Sequence, residues 1–293
     1  MLMLFLSSLP APAIGHSETY LNAIQFIINT QQNQSFYSYQ SILGPPRDSD
    51  VHVVPSVSLR HSACLIALRQ EIWRAFLSQR PFRLPVCPNN DYATFSPAND
   101  FVWTNRILVW VADLLSFCFG NQSITPQQGT ERWMALKALE QHWDAQNPPA
   151  FKPIYYREAD PDTSRHFPEI WHMNACQVAG AQHIELGRIL LTISDPMRVS
   201  RLGLGAVSRN VSLEEELRSI TRRLCGLAVS NPGSPPALVT AAVGISVCGE
   251  YFVNAGEREA LVELLEDLQC QHAWPTEATV RALRAAWLAS SRL

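Results

Sequence analysis

Three side chains in one stretch carry the spacing of a metal site. His172, Cys176 and His183 stand four and then seven residues apart, along one stripe of a helix. A structural zinc wants four ligands, the rest presented by a neighbouring element. No C-x-x-C or H-x-x-x-H complement occurs in the sequence. The stripe therefore reads as a packed helix with satisfied histidines, and no metal or other cofactor is expected.

Glu158, Asp160 and Asp162 form a second candidate, since some all-helical enzymes hold cations with aspartate-rich motifs. Such motifs need their carboxylates on one helix face, and Pro161 breaks any helix there. A solvated acidic loop is the better reading. The run GISVCG at 244–249 is not a G-x-S-x-G nucleophile elbow, and no strand is expected before it. With no nucleophile–base set and no phosphate loop, the sequence does not read as that of an enzyme.

Seven cysteines stand at 64, 87, 118, 176, 225, 248 and 270, none in a C-x-x-C pair and most inside apolar runs. That is how free thiols behave as small core hydrophobes in a reducing compartment. The 293 residues are 47% hydrophobic and 17% charged, enough to bury a large core. Net charge is −3, and only Lys137 and Lys152 are lysines among 23 basic residues. Arginine suits planar, partly buried carboxylate pairs, so the bias fits internal ion pairs better than a phosphate-gripping surface. No direct DNA binding is expected from this chain. No apolar run reaches the roughly 18 residues of a membrane span, so no membrane contact is expected either.

The elements that position these residues are helices. LRHSACLIALRQEIWRAFLSQRP at 59–81 places Leu65, Leu68, Ile72, Ala75 and Phe76 on one side, widened by Ile66, Trp73 and Leu77. Gln70, Glu71, Arg74 and Ser78 hold the opposite face, and Pro81 stops the helix. Arg69 projects from the apolar arc, where an unpaired charge is very costly. A structural ion pair is expected, with Asp113 the preferred partner.

A helix over 101–119, capped by Asn99 or Asp100, is apolar nearly all round, with Asn105, Arg106, Asp113 and Ser116 on a narrow strip. Such a helix is central in a bundle. Thr130 is expected to cap a third helix to about 146, and Pro168 to open a fourth that ends near 193. Ser212 with Glu215 reads as a capping box. Pro235 and Pro236 open a second nearly all-apolar helix, and two amphipathic helices over 257–270 and 276–290 close the chain. A further helix is expected over 18–31, loops over about 32–55 and 147–167, and residues 1–17 are poorly defined. No alternation of period two stands out. The fold class is therefore all-α, a multi-helix domain over 18–293 of antiparallel helix pairs around nearly all-apolar central helices.

LRQEIWRAFLSQRPFRLP and FVWTNRILVWVADLLSFCFG together resemble the regulatory domain of fungal zinc-cluster transcription factors. The likeness continues through FPEIWHMNACQVAGAQHIELGRILL and GLAVSNPGSPPALVTAAVGISVCGEYFVNAG to HAWPT. It lies in core residues and turns, and implies a family more than an activity. It also implies transcription regulation through protein contacts in the nucleus, with a related transcription factor as homo- or heterodimer partner. The six closely spaced cysteines of that family's DNA-binding module do not occur here, which makes a shortened family member the expectation. Trp274 and Trp287 are candidates for the partner contact, against a reading in which both close the core. The competing expectation is a helical enzyme or small-molecule-binding protein; no clear basic localisation signal occurs, and the location expected if not the nucleus is the cytoplasm.

Overall fold

The computed structural model describes residues 59–84, 91–120, 125–160, 165–197 and 206–290. The helix expected over 18–31, the loop over 32–55 and residues 1–17 lie outside them. Eight α-helices and one two-stranded sheet occur among the described residues, so the fold is all-α. They divide into two compact units, one ending at Phe151 and the other beginning at Lys152.

In the first unit, α1 (Leu59–Leu77) buries Ala67, Leu68, Ile72, Ala75 and Phe76, as its periodicity requires. Two expectations fail: Ile66 is 53% exposed and Glu71 is completely buried. The cause lies after the helix. Gln79 takes a left-handed conformation (φ 48°), and the Arg80 N–H donates to the Ala75 carbonyl at 3.1 Å. This closing turn ends α1 before Pro81 is reached. It also brings the Arg80 guanidinium onto the Glu71 carboxylate, at 2.5 and 2.9 Å. The Arg83 N–H adds a third donor at 3.0 Å.

Helix α2 (Asp100–Phe119) is capped by Asn99, whose Oδ1 accepts from the Val102 N–H at 3.0 Å. Against the expectation that no apolar run reaches the length of a membrane span, it is long and apolar enough to cross one, yet 72% of that stretch is buried inside the protein, as in a core helix. Half of its polar strip, Asn105 and Arg106, is buried as well. Arg106 is buried, donates to the Ser96 carbonyl at 2.8 Å and lies 4.7 Å over the Trp103 ring. The expected pair of Arg69 with Asp113 does not form: Asp113 accepts from Tyr92 and pairs with Arg132 of the next helix.

That helix, α3 (Pro126–Gln146), starts before Thr130. Thr125 and Gln128 cap it reciprocally, and Pro126 fits the first turn, where no intrahelical N–H bond is needed. Trp103, Trp143 and Phe151 stack edge-on, with centroids 5.9 and 5.2 Å apart.

In the second unit, β1 (Tyr155–Arg157) pairs antiparallel with β2 (Glu169–Trp171), Tyr155 opposite Trp171. A strand therefore follows Pro168 where a helix was expected. Helix α4 (Ala175–Ile193) begins later, because Asn174 accepts from the Gln177 N–H at 3.0 Å while Gln177 accepts from the Met173 N–H at 2.9 Å. Its end at Ile193 is as expected.

Helices α5 (Ala206–Ser230), α6 (Pro235–Cys248), α7 (Ala255–His272) and α8 (Glu277–Ser290) complete the unit. Ser212 sits inside α5 and so caps nothing. Gln182 joins three helices by donating to the carbonyls of Leu224 (3.2 Å) and Ala237 (3.0 Å). A Cβ on Gly244 would meet Leu224 Cδ1 at 2.5 Å, so the glycine permits the close approach of α6 to α5.

Cys225 and Cys248 are wholly buried between these helices. Burial pushes the Cys248 thiol up to about 12 and raises the Cys225 thiol as well. Both therefore resist iodoacetamide in the native chain at neutral pH, whereas exposed Cys270 is alkylated. Peptide mapping that finds Cys225 modified as fast as Cys270 would contradict this packing.

Candidate functional site

One side of α5 carries Glu215, Arg218 and Arg222 three and four residues apart, hence on a single stripe, with Arg223 beside it. Two other segments face that stripe. One is the stretch leading into β2, with Arg165, His166 and Pro168; the other is the start of α7, with Asn254 and Glu257. Together with the end of β1 they enclose a cleft of about 600 Å³. Glycines set its width. A Cβ on Gly226 would stand 2.2 Å from the Pro168 carbonyl oxygen, and one on Gly256 would stand 2.6 Å from His166 Cε1. Larger residues would push the β2 approach off both helices.

The charges inside are arranged in two ways. Arg223 grips Glu185 of α4 with two hydrogen bonds, at 3.0 and 2.8 Å, and that carboxylate is nearly out of water. Arg222 holds Glu257 at 2.6 Å, also largely buried, and lies 5.6 Å over the Phe252 ring. Each ties one helix to another.

Arg218 differs. Its side chain is only 10% exposed, yet the carboxylate it binds, Glu215 at 3.0 and 2.7 Å, is 55% exposed. Glu214, at 3.9 Å, is exposed as well. The remaining donor of Arg218 reaches the Tyr251 carbonyl at 2.8 Å. Glu215 also accepts from Arg222 at 2.9 Å, so one carboxylate bridges two guanidinium groups. Burial works against its ionisation, but the hydrogen bonds from Arg222 and Arg218 outweigh it and hold the carboxyl below the usual range.

The residues singled out by spacing lie mostly elsewhere. Arg69 and Asp113 belong to the first unit and are not among the residues that line the cleft. His172 precedes α4, so the stripe it was to share with Cys176 and His183 does not exist. His183 is fully buried, its Nδ1 2.7 Å from the Ala179 carbonyl, and burial depresses the His172 pKa. No group of three metal-ligating side chains occurs among the described residues. Of the acidic loop, Glu158 lines the cleft, Asp160 is bridged to Arg165, and Asp162 is outside the described residues.

Trp287 is not a contact residue. It is buried, donates to the Gly249 carbonyl at 3.0 Å and lies beneath Arg258, so it closes the core. Trp274 is half-buried. The signal for the cleft was present in the sequence as E-x-x-R-x-x-x-R-R at 215–223, but it shows as a site only once the partners of these arginines are known.

Chemically, paired guanidinium forks bind planar oxyanions. Ser219, the hydroxyl beside them on α5, accepts from Arg223 at 3.0 Å. Comparison with known protein families, with curated proteins and with solved structures gives no significant match to this chain.

Proposed function

We propose that the chain is a transcription-regulator-like helical domain of the kind fungal zinc-cluster transcription factors carry. It works through protein contacts in the nucleus, pairing with itself or with a related factor, and does not read DNA alone. One observation supports this reading: three of the segments that carry the resemblance supply core. IWRAF ends α1 with Ile72, Trp73 and Phe76 buried, and FVWTNRILVWVADLLSFCF is nearly all of α2. GLAVSNPGSPPALVTAAVGISVC forms the end of α5, the turn at 231–234 and α6. Core pattern is what a shared helical fold preserves, because close packing constrains it.

The test is recovery of the tagged chain from nuclear extract, with light scattering on the purified protein. The expected result is a nuclear chain that is dimeric or brings down a zinc-cluster protein. A strict monomer that stays outside the nucleus and recovers no transcription factor overturns the reading. A second reading, a helical small-molecule-binding protein, is favoured by the cleft on α5.

A further inference from the structure

The Arg218–Arg222 pair has the make-up of a socket with an exchangeable anion. A guanidinium nine-tenths out of water needs a compensating negative charge close by. The neighbouring arginines draw theirs from carboxylates held inside the protein: Glu185, behind Arg223, is 7% exposed and Glu257, on Arg222, 14%. Arg218 draws its own from Glu215, a side chain 55% exposed, which is free to swing into solvent once another anion takes its place. The start of α7 faces the same space, and its N-terminal dipole favours negative charge there. Beyond the arginines the wall turns apolar, with Val253, Pro168 and the Tyr156 ring. The space of about 600 Å³ falls within the range that small ligands occupy.

We propose that this cleft binds a small organic acid, its carboxylate replacing that of Glu215 between Arg218 and Arg222 and its apolar body resting against Val253 and Pro168. A carboxylate suits the position because a carboxylate already fills it, one oxygen on each guanidinium. The inference does not depend on the regulatory reading: the ligand binds the purified chain wherever the protein acts and whatever it contacts. It assigns Glu215 an unusual role, that of a built-in competitor.

Benzoate is the probe, titrated calorimetrically into the purified full chain at low salt, with benzyl alcohol and inorganic phosphate as controls. Benzoate binds saturably and benzyl alcohol does not. Glu215→Gln removes the competing charge at an exposed position and tightens benzoate about fivefold, the weight of a half-exposed ion pair. Arg218→Met loses binding while keeping the helical circular dichroism; if it does not fold, Arg222→Met serves instead, with the same loss expected. A network that is structural alone predicts no benzoate binding in either the parent or Glu215→Gln. That result, or equal or weaker binding by Glu215→Gln, overturns the proposal. Saturation by inorganic phosphate without benzoate binding overturns the carboxylate assignment. If benzoate binds while the chain stays monomeric outside the nucleus, only the regulatory reading fails.

Discussion

Glu71→Ala lowers the unfolding free energy by roughly 3–5 kcal/mol, the usual cost of leaving one partner of a buried ion pair behind. The size follows from what is stranded. Glu71 is completely buried and takes two hydrogen bonds from Arg80 and one from the Arg83 backbone. Without it, a guanidinium only 15% exposed loses its counter-charge, keeping only the Pro81 carbonyl at 3.0 Å, and the Arg83 backbone N–H loses this acceptor. Alanine also leaves a cavity against α1. Changing both ends, Glu71→Met with Arg80→Met, recovers part of the loss, because no uncompensated charge remains. Urea unfolding of the three proteins settles the matter. Were the single variant as stable as the parent, Glu71 would not be the anchor of the turn after α1.

Gly226→Ala costs about 3 kcal/mol, at the upper end of overpacking. A glycine inside a helix is ordinarily improved by alanine, by about 1 kcal/mol. Here the sign reverses, since the new Cβ would stand 2.2 Å from a backbone oxygen, that of Pro168, which cannot rotate away. Relief requires β2 to lift from α5. That lift breaks the bond of the Ile170 N–H to Ser230 Oγ (3.0 Å) and those of Asn231 to the Ile170 carbonyl (2.8 Å) and the His172 N–H (3.1 Å). Gly233→Ala is the control, because nothing lies within 4 Å of its Cβ, and it is close to neutral. The check combines urea unfolding with amide exchange in the two strands, 155–157 and 169–171, which is faster in Gly226→Ala. Stability and exchange equal to those of the Gly233 variant would show that the β2 approach is not seated on α5 as described.

What the sequence determined by itself is what short-range rules govern. The apolar period of 3.6 placed α1, α2 and α6, Asn99 marked where α2 begins, and Ser194 marked where α4 ends. The all-α class followed from the same period, and so did the burial of Cys225 and Cys248 within apolar runs. Where local signals competed, the outcome depended on contacts that spacing does not encode. Pro168 is as acceptable before a strand as at the start of a helix, and Ser230 with Asn231, about sixty positions away, decided for the strand. Glu71 looked like a surface residue until the chain turned back at Gln79 and delivered Arg80 to it. Charge pairing was the least legible of all. Asp113 was matched to Arg69 of α1, but it pairs with Arg132 of α3, 19 positions on. The partners of Arg222 and Arg223 stand 35 and 38 positions away. An ion pair needs a few ångströms of approach, and only the packing of whole helices supplies that. The cleft is made of such pairs, which is why a run of arginines on one helix became a site in the tertiary structure alone.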